Sequence, residues 1–301
     1  MSTLPAVALA AVPGRRRATL ELAKQLEAKG FAGLFCASFG DAMGLCEALA
    51  FETRRIPFGT AIANLYTRHV SEYAQTASLI HELSGGRFNF GVGVSHAPMN
   101  DRLGIATGRP LADMRAFVDA YYAQPRVGEL PPVVVAALRR RMVALAGEIG
   151  GGVVFANAAR SHMAESLAAL PPARQGDPDF FVGGMIPICL SDDRKAAMAR
   201  NRKTLVMYVS LPNYRNYWKE AGYVEEMSAI EKALEQGERE RLPELMSERW
   251  LADVTLFGSA AEVRDGVDAW RAAGVTTPIL VPSSARGNQR VAFEELFAAY
   301  A

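Results

Sequence analysis

A serine and a histidine close an apolar run that carries two glycines. In HELSGGRFNFGVGVSHAP, residues 81–98, Ser95 and His96 come directly after Gly91 and Gly93. A histidine titrates near neutral pH and can give or take a proton. Asp41 is a carboxylate in a comparable place, just beyond the apolar run 31–37. His96 and Asp41 are therefore the candidate catalytic proton carriers. Asn64 follows a third apolar run, and Arg139, Arg140 and Arg141 open a helical pattern. Paired carboxylates of the glycosidase kind are missing, as are a Ser-His-Asp constellation and a cluster of histidines and carboxylates that would hold a metal. What remains is amides, hydroxyls and small residues, a set suited to a flat organic ring that brings its own chemistry.

Each of these residues also has a plainer reading. Gly91 and Gly93 serve either close packing of a small-residue layer or clearance for a ring. His96 is either a loop histidine bonded to nearby backbone or a proton carrier. Asn64 is a turn residue or a ring contact, and at least two of the three arginines read as a solvated helix face. Cys36 reads as a small buried hydrophobe. The aromatic stretch 211–218 reads as helix packing, a dimer seam or a lid.

Stepping along the chain, short apolar runs alternate with stretches of helical spacing. Strands are expected at 6–11, 31–37, 56–63, 88–95, 133–138, 153–157, 180–190 and 277–281. Helices are expected at 14–29, 42–52, 70–83, 110–122, 140–149, 161–170, 260–273 and 292–300. In the helix 14–29, for example, Ala18, Leu22 and Leu26 recur at every fourth position. Residues 192–250 read as several helices in succession. Eight strands, each followed by a helix and joined without a long polar linker, predict a single α/β domain over 1–301. The expected fold is a (β/α)8 TIM barrel with a helical insertion at about 192–250, between strands seven and eight. A doubly wound open sheet has the same local alternation and is the competitor. In a barrel the working groups sit at the C-terminal strand ends. Those ends hold Ser38, Ala61, Ile62, Asn64, Gly93, Ser95, Ala137, Leu138, Arg139 and Asn157.

Charge excludes some partners. The 301 residues carry 33 basic and 32 acidic side chains, which gives nucleic-acid binding no support. Cys36, Cys46 and Cys189 are scattered and form no CxxC pair, so a disulfide framework or zinc site is not expected and a reducing cytoplasm is. The apolar run 4–12 precedes its arginines, the reverse of a secretion signal, and is too short to span a bilayer. No membrane partner is expected, and the partner is a small molecule.

The run LSGGRFNFGVGVS, residues 83–95, resembles the matching segment of the bacterial luciferase-like oxidoreductases, especially the branch that uses the deazaflavin coenzyme F420. GTAIANLYTRH (59–69), PPVVVAALRRRMVALAGE (131–148) and LFGS (256–259) with the helix after it agree in order and spacing. The resemblance implies a TIM barrel, often a homodimer, with the cofactor over the C-terminal mouth. It implies a non-proline cis peptide at Ala61-Ile62, with Ile62 under the ring and Asn64 at the ring edge. It implies phosphate contacts near Leu138 to Met142, including Arg139 and Arg140. Where the family usually has an acid or histidine at the end of strand two, this chain has Ser38 and Phe39. Gly150-Gly151-Gly152 stands where Ala-Asp-Gly is common, and Leu138 where a glycine is common. The expectation is an oxidoreductase that moves a hydride between F420 and a small organic substrate. FMN in the same mouth, as in a luciferase-like monooxygenase with a reductase partner, is the alternative. A flavin- or deazaflavin-binding protein without turnover is the third reading.

Overall fold

The computed structural model describes residues 4–38 and 40–301; Phe39, placed above at the end of the second strand, lies outside the described residues. The chain gathers into two compact units, Met1–Phe155 with Ala168–Gly183, and Ala156–Leu167 with Gly184–Ala301.

In the first unit a parallel ladder runs through β1 (Ala6–Leu9), β2 (Leu34–Cys36), β3 (Phe58–Thr60), β5 (Phe88–Gly93), β6 (Val133–Ala136) and β7 (Gly152–Ala156). A two-residue strand, β4 (Ala63–Asn64), also pairs with β5. Parallel strands covered on both faces read as unbroken apolar runs, and AVAL, LFC and VVVA are such runs. Register is set pair by pair: Val7 opposite Leu34, Leu34 opposite Phe58, Phe58 opposite Phe88, and Phe90 opposite Val133. The strand expected over 56–63 is split into β3 and β4, and the peptide between them, Ala61-Ile62, is cis. Ala61 N–H still donates to Cys36 O at 2.8 Å, so the break stays tied to β2.

The helices Ala42–Glu52, Pro110–Tyr122 and Arg140–Ile149 have the expected bounds. The expected helix 161–170 shortens to a 3-10 turn, Arg160–His162, and Met163–Leu167. Pro171 and Pro172 follow, and a proline drives the residue before it out of the helical region. A short helix, Ala97–Arg102, fills what reads in the sequence as loop. At the edge where the strands begin, Arg87 donates to Ser84 O, Thr53 Oγ1, Ile56 O, Ala50 O and Thr53 O. Glu27 accepts the backbone N–H groups of Arg54, Arg55 and Ile56. Burial alone would raise its carboxyl, but those three donors more than offset it and hold the pKa below the ordinary value.

In the second unit β8 (Phe181–Leu190), from Gly184 onward, pairs in parallel with β9 (Leu256–Gly258), Ile188 opposite Leu256. It also pairs with β10 (Thr277–Ser283). β9 has only three residues and no strand-length apolar run announces it in the sequence. Helices occupy the stretch expected for them, from Arg194–Val209 through Pro212–Glu220 and Val224–Glu235 to Glu248–Val254. Their core is aromatic: Trp218 and Trp250 meet edge to face at 4.8 Å, and Tyr214 lies 5.4 Å from Trp218. The aromatic stretch 211–218 is thus helix packing, with Tyr214, Tyr217 and Trp218 all buried. Ser259 and Glu262 cap the helix Ala260–Ala272 reciprocally. Among the described residues no helix is long and apolar enough to cross a membrane.

Candidate active site at the strand ends of the first unit

Parallel strands bring their C-terminal ends to one edge. Gly93 ends β5 opposite Asn64 of β4. A Cβ built on Gly93 would lie 3.0 Å from Ile62 Cδ1, Ile62 Cγ1 and Ala136 Cβ. Ile62, Gly93 and Ala136 therefore meet, and Ile62 and Ala136 stay half-exposed. The result is a small apolar floor at the strand ends, in which Ile62 and Ala136 close over the buried Gly93. Gly91 answers a different need. A Cβ there would sit 1.9 Å from Thr60 O, and Thr60 Oγ1 donates to Gly91 O at 2.6 Å. Gly91 is required by the approach of neighbouring strands, Gly93 by the floor.

A hydrogen-bonded chain borders that floor. Asn64 Nδ2 donates to Asn100 Oδ1 at 2.8 Å, and Asn100 Nδ2 donates to Val94 O at 3.0 Å. Asn64 Oδ1 accepts the Tyr66 N–H at 3.2 Å. The Asn64 carbonyl accepts the Tyr73 hydroxyl at 2.7 Å and the Thr67 hydroxyl at 2.8 Å. Tyr66 OH donates to Asp113 Oδ2 at 2.6 Å, which also accepts the Gly108 N–H at 3.0 Å. Burial and then the Asp113 carboxylate push the Tyr66 phenol well above its ordinary pKa. Asn100, Tyr66 and Asp113 did not emerge from the sequence as a group. They belong to three separate segments, and only Tyr66 stands beside a strand end.

Ser95 turns the chain with a left-handed φ of 57° and His96 follows at the start of the helix Ala97–Arg102. Burial lowers the His96 pKa, so the imidazole is neutral at pH 7. A neutral imidazole hydrogen-bonds or accepts a proton rather than storing one. Asp41 caps the helix Ala42–Glu52, accepting Gly44 N–H at 3.0 Å, and pairs with Arg68 at 2.8 Å. Both bonds use Oδ1, and the carboxylate stays exposed. Ser38 is exposed just past β2. Ala137 and Leu138 follow β6 and lead to Arg139, which precedes the helix Arg140–Ile149. Met142 N–H donates to Arg139 O at 3.0 Å, which closes the first turn of that helix.

Asn157 belongs to the second unit. It is buried with a left-handed φ of 53°, and its carbonyl accepts the Trp218 Nε1–H at 3.0 Å. Cys36 and Cys46 are buried in mutual contact, and burial, then the neighbouring thiol, raises Cys46. Among the described residues no group of three His, Cys, Asp or Glu side chains could hold a metal ion.

The profile of the luciferase-like monooxygenase family matches residues 2–123 and 119–277. A protein of Mycobacterium tuberculosis assigned as a coenzyme F420-dependent oxidoreductase is 25% identical, over 88% of this chain and 90% of its own length. Among solved structures, the coenzyme F420-dependent tetrahydromethanopterin reductase of Methanopyrus kandleri superimposes with a TM-score of 0.78 at 18% identity, covering 98% of this chain and 97% of its own. The oxygenating constituent of 3,6-diketocamphane monooxygenase from Pseudomonas putida, in complex with FMN, gives a TM-score of 0.63 at 13% identity, covering 100% and 96%. At such identities the structural likenesses carry the fold, a (β/α)8 TIM barrel.

Proposed function

This chain belongs to the luciferase-like monooxygenase family of enzymes, and we propose that it is an oxidoreductase that uses coenzyme F420 to move a hydride to or from a small organic substrate. The observation that carries this reading is the apolar floor at the strand ends, where half-exposed Ile62 and Ala136 pack so closely over Gly93 that a single Cβ at position 93 would displace Ile62. When bound, the deazaflavin supplies the hydride chemistry at a ring carbon. Everything else falls to the chain. Ile62 would lie against the face of the ring, with Gly93 beneath it leaving the room it needs, and the apolar surroundings would keep water from that face. Asn64 holds the ring edge, since an amide already bonded to Asn100 and Tyr66 can still give and accept one further bond each way. Arg139 and the amides of Arg140 and Arg141 meet the phosphate, where a helix start favours negative charge. Ser38, Ser95, Ala137 and Leu138 line the approach. His96, neutral at pH 7, would orient the substrate or take its proton as the hydride leaves it, and in the opposite direction the protonated imidazole would give that proton back.

Titration of the cofactor-free protein with F420 and, separately, with FMN tests the reading, with bound cofactor followed by fluorescence. Saturable F420 binding with weaker FMN binding is expected. Tight FMN binding alone would replace it with the monooxygenase reading, which the likeness to the FMN complex motivates. Binding of neither would end it. A bound cofactor that no donor reduces would leave a carrier rather than an enzyme.

A further inference from the structure

Asn100, in the chain bordering this floor, is 2% exposed, and both ends of its amide are used. Its oxygen takes a bond from Asn64, which ends β4, and its nitrogen gives one to Val94 O, the carbonyl just before the left-handed turn at Ser95. Leu65 N–H donates to Gly93 O at 3.0 Å and secures the same two segments from below. We propose that Asn100 is a positioning residue of the cofactor site: its amide fixes the spacing between Asn64 and the Ser95-His96 turn, so that ring edge and imidazole are presented together. The inference rests on the functional reading above. Two arguments support it beyond the contacts. A residue held at left-handed φ costs roughly 1 kcal/mol when it is not glycine, so something must keep Ser95 there. A buried amide satisfied at both ends holds its neighbours more rigidly than loop backbone would. Asn100 arrives on the six-residue helix Ala97–Arg102, so the segment after β5 carries its own fastener back to β4.

Two variants separate the two bonds. Asn100→Leu removes both. Asn100→Asp keeps an acceptor for Asn64 and loses the donor to Val94 O until its carboxyl is protonated. Each is compared with the wild type in thermal unfolding, in F420 titration, and in the ring resonances of the four histidines, His69, His81, His96 and His162, in the cofactor-free protein. Expected for Asn100→Leu, well below its melting temperature, are F420 binding weaker by about tenfold or more and a shifted His96 signal with the other three unmoved. For Asn100→Asp, the deficit relative to wild type at the same pH should close as pH falls through the carboxyl titration. Purely structural support would lower the melting temperature and leave both the affinity and the His96 signal alone, and that result overturns the inference. If the leucine variant does not fold, the aspartate variant decides by the same criteria. If the wild type itself binds no F420, the functional reading fails by itself. The His96 signal then still decides whether Asn100 sets the turn: an unmoved signal refutes it and a moved one upholds it.

Discussion

Gly91→Ala and Gly93→Ala are chemically the same change two residues apart on one strand, and they should fail in opposite ways. At position 91 the new methyl would stand 1.9 Å from Thr60 O, a backbone atom of the paired strand. Ordinary contact is about 3.5–4.0 Å, so strand must move from strand by well over an ångström. That movement takes with it the 2.6 Å bond from Thr60 Oγ1 to Gly91 O. Overpacking alone costs about 1–3 kcal/mol, and a buried donor left unmade adds about 1–3 more. The sum reaches a large part of the 5–15 kcal/mol or so that holds a typical domain together, so the variant should be insoluble or unfold far below the wild type. At position 93 the methyl would stand 3.0 Å from the Ile62 side chain and Ala136 Cβ. Ile62 is half-exposed and can swing outward by the missing 0.5–1 Å or so, while Ala136 Cβ gives only with a slight shift of β6, together at about 1–2 kcal/mol. A melting point lower by only a few degrees is expected. The displaced Ile62 and the new methyl then stand where the face of the ring would rest, so F420 affinity should fall by about tenfold or more. Denaturation followed by circular dichroism, and F420 titration of whichever variant folds, reads both outcomes. A stable Gly91→Ala, or a Gly93→Ala that folds and binds F420 as the wild type does, refutes the reasoning.

Three further outcomes are expected. Asp41→Asn keeps a good helix cap and loses only the exposed Arg68 pair, so stability should change by less than about 1 kcal/mol and turnover should survive; lost turnover with F420 binding intact would make Asp41 the proton carrier after all. His96 should titrate below the ordinary histidine value of about 6.5 by NMR. Because its folded pKa is depressed, the unfolded chain binds the proton first, so its share of stability is present above that value and is lost as pH falls; a midpoint at or above 6.5 or so contradicts this. Glu27→Gln should lower the melting temperature at pH 7, because a carboxylate accepting three backbone donors is replaced by a neutral amide. The folded Glu27 pKa is depressed, so the gap should be full above the ordinary carboxyl range and shrink as pH falls through it; a gap independent of pH would show that the charge contributes nothing.

How much of this was legible in the sequence depends on whether the cause was local. The strands AVAL and VVVA announce themselves because burial on both faces writes an unbroken apolar run, and the helix 14–29 because burial on one stripe writes a period. Gly91 and Gly93 were visible as anomalies, but their different duties were not. Which atom faces a missing Cβ depends on Thr60 in one case and on Ile62 and Ala136 in the other, residues about 30 to 45 positions away. β9 was not read as a strand because LFG lies in no longer apolar run, unlike the equally short β2 within 31–37. The border of the floor was the least legible part. Asn64 and His96 stand at strand ends, where a topological rule points to them. Asn100 sits on a short helix whose sequence, APMNDR, carries no period and no strand-end position. Its value lies only in meeting Asn64 across 36 positions, a coincidence of three dimensions that no local rule encodes. The same holds for Tyr66 and Asp113, 47 apart. Groups that touch a ligand tend to be placed by the fold's own geometry, whereas groups that hold those groups in place can enter from any segment that happens to pass. In this chain the second kind is where a sequence reading runs out, and it is also where substitutions should separate binding from folding most cleanly.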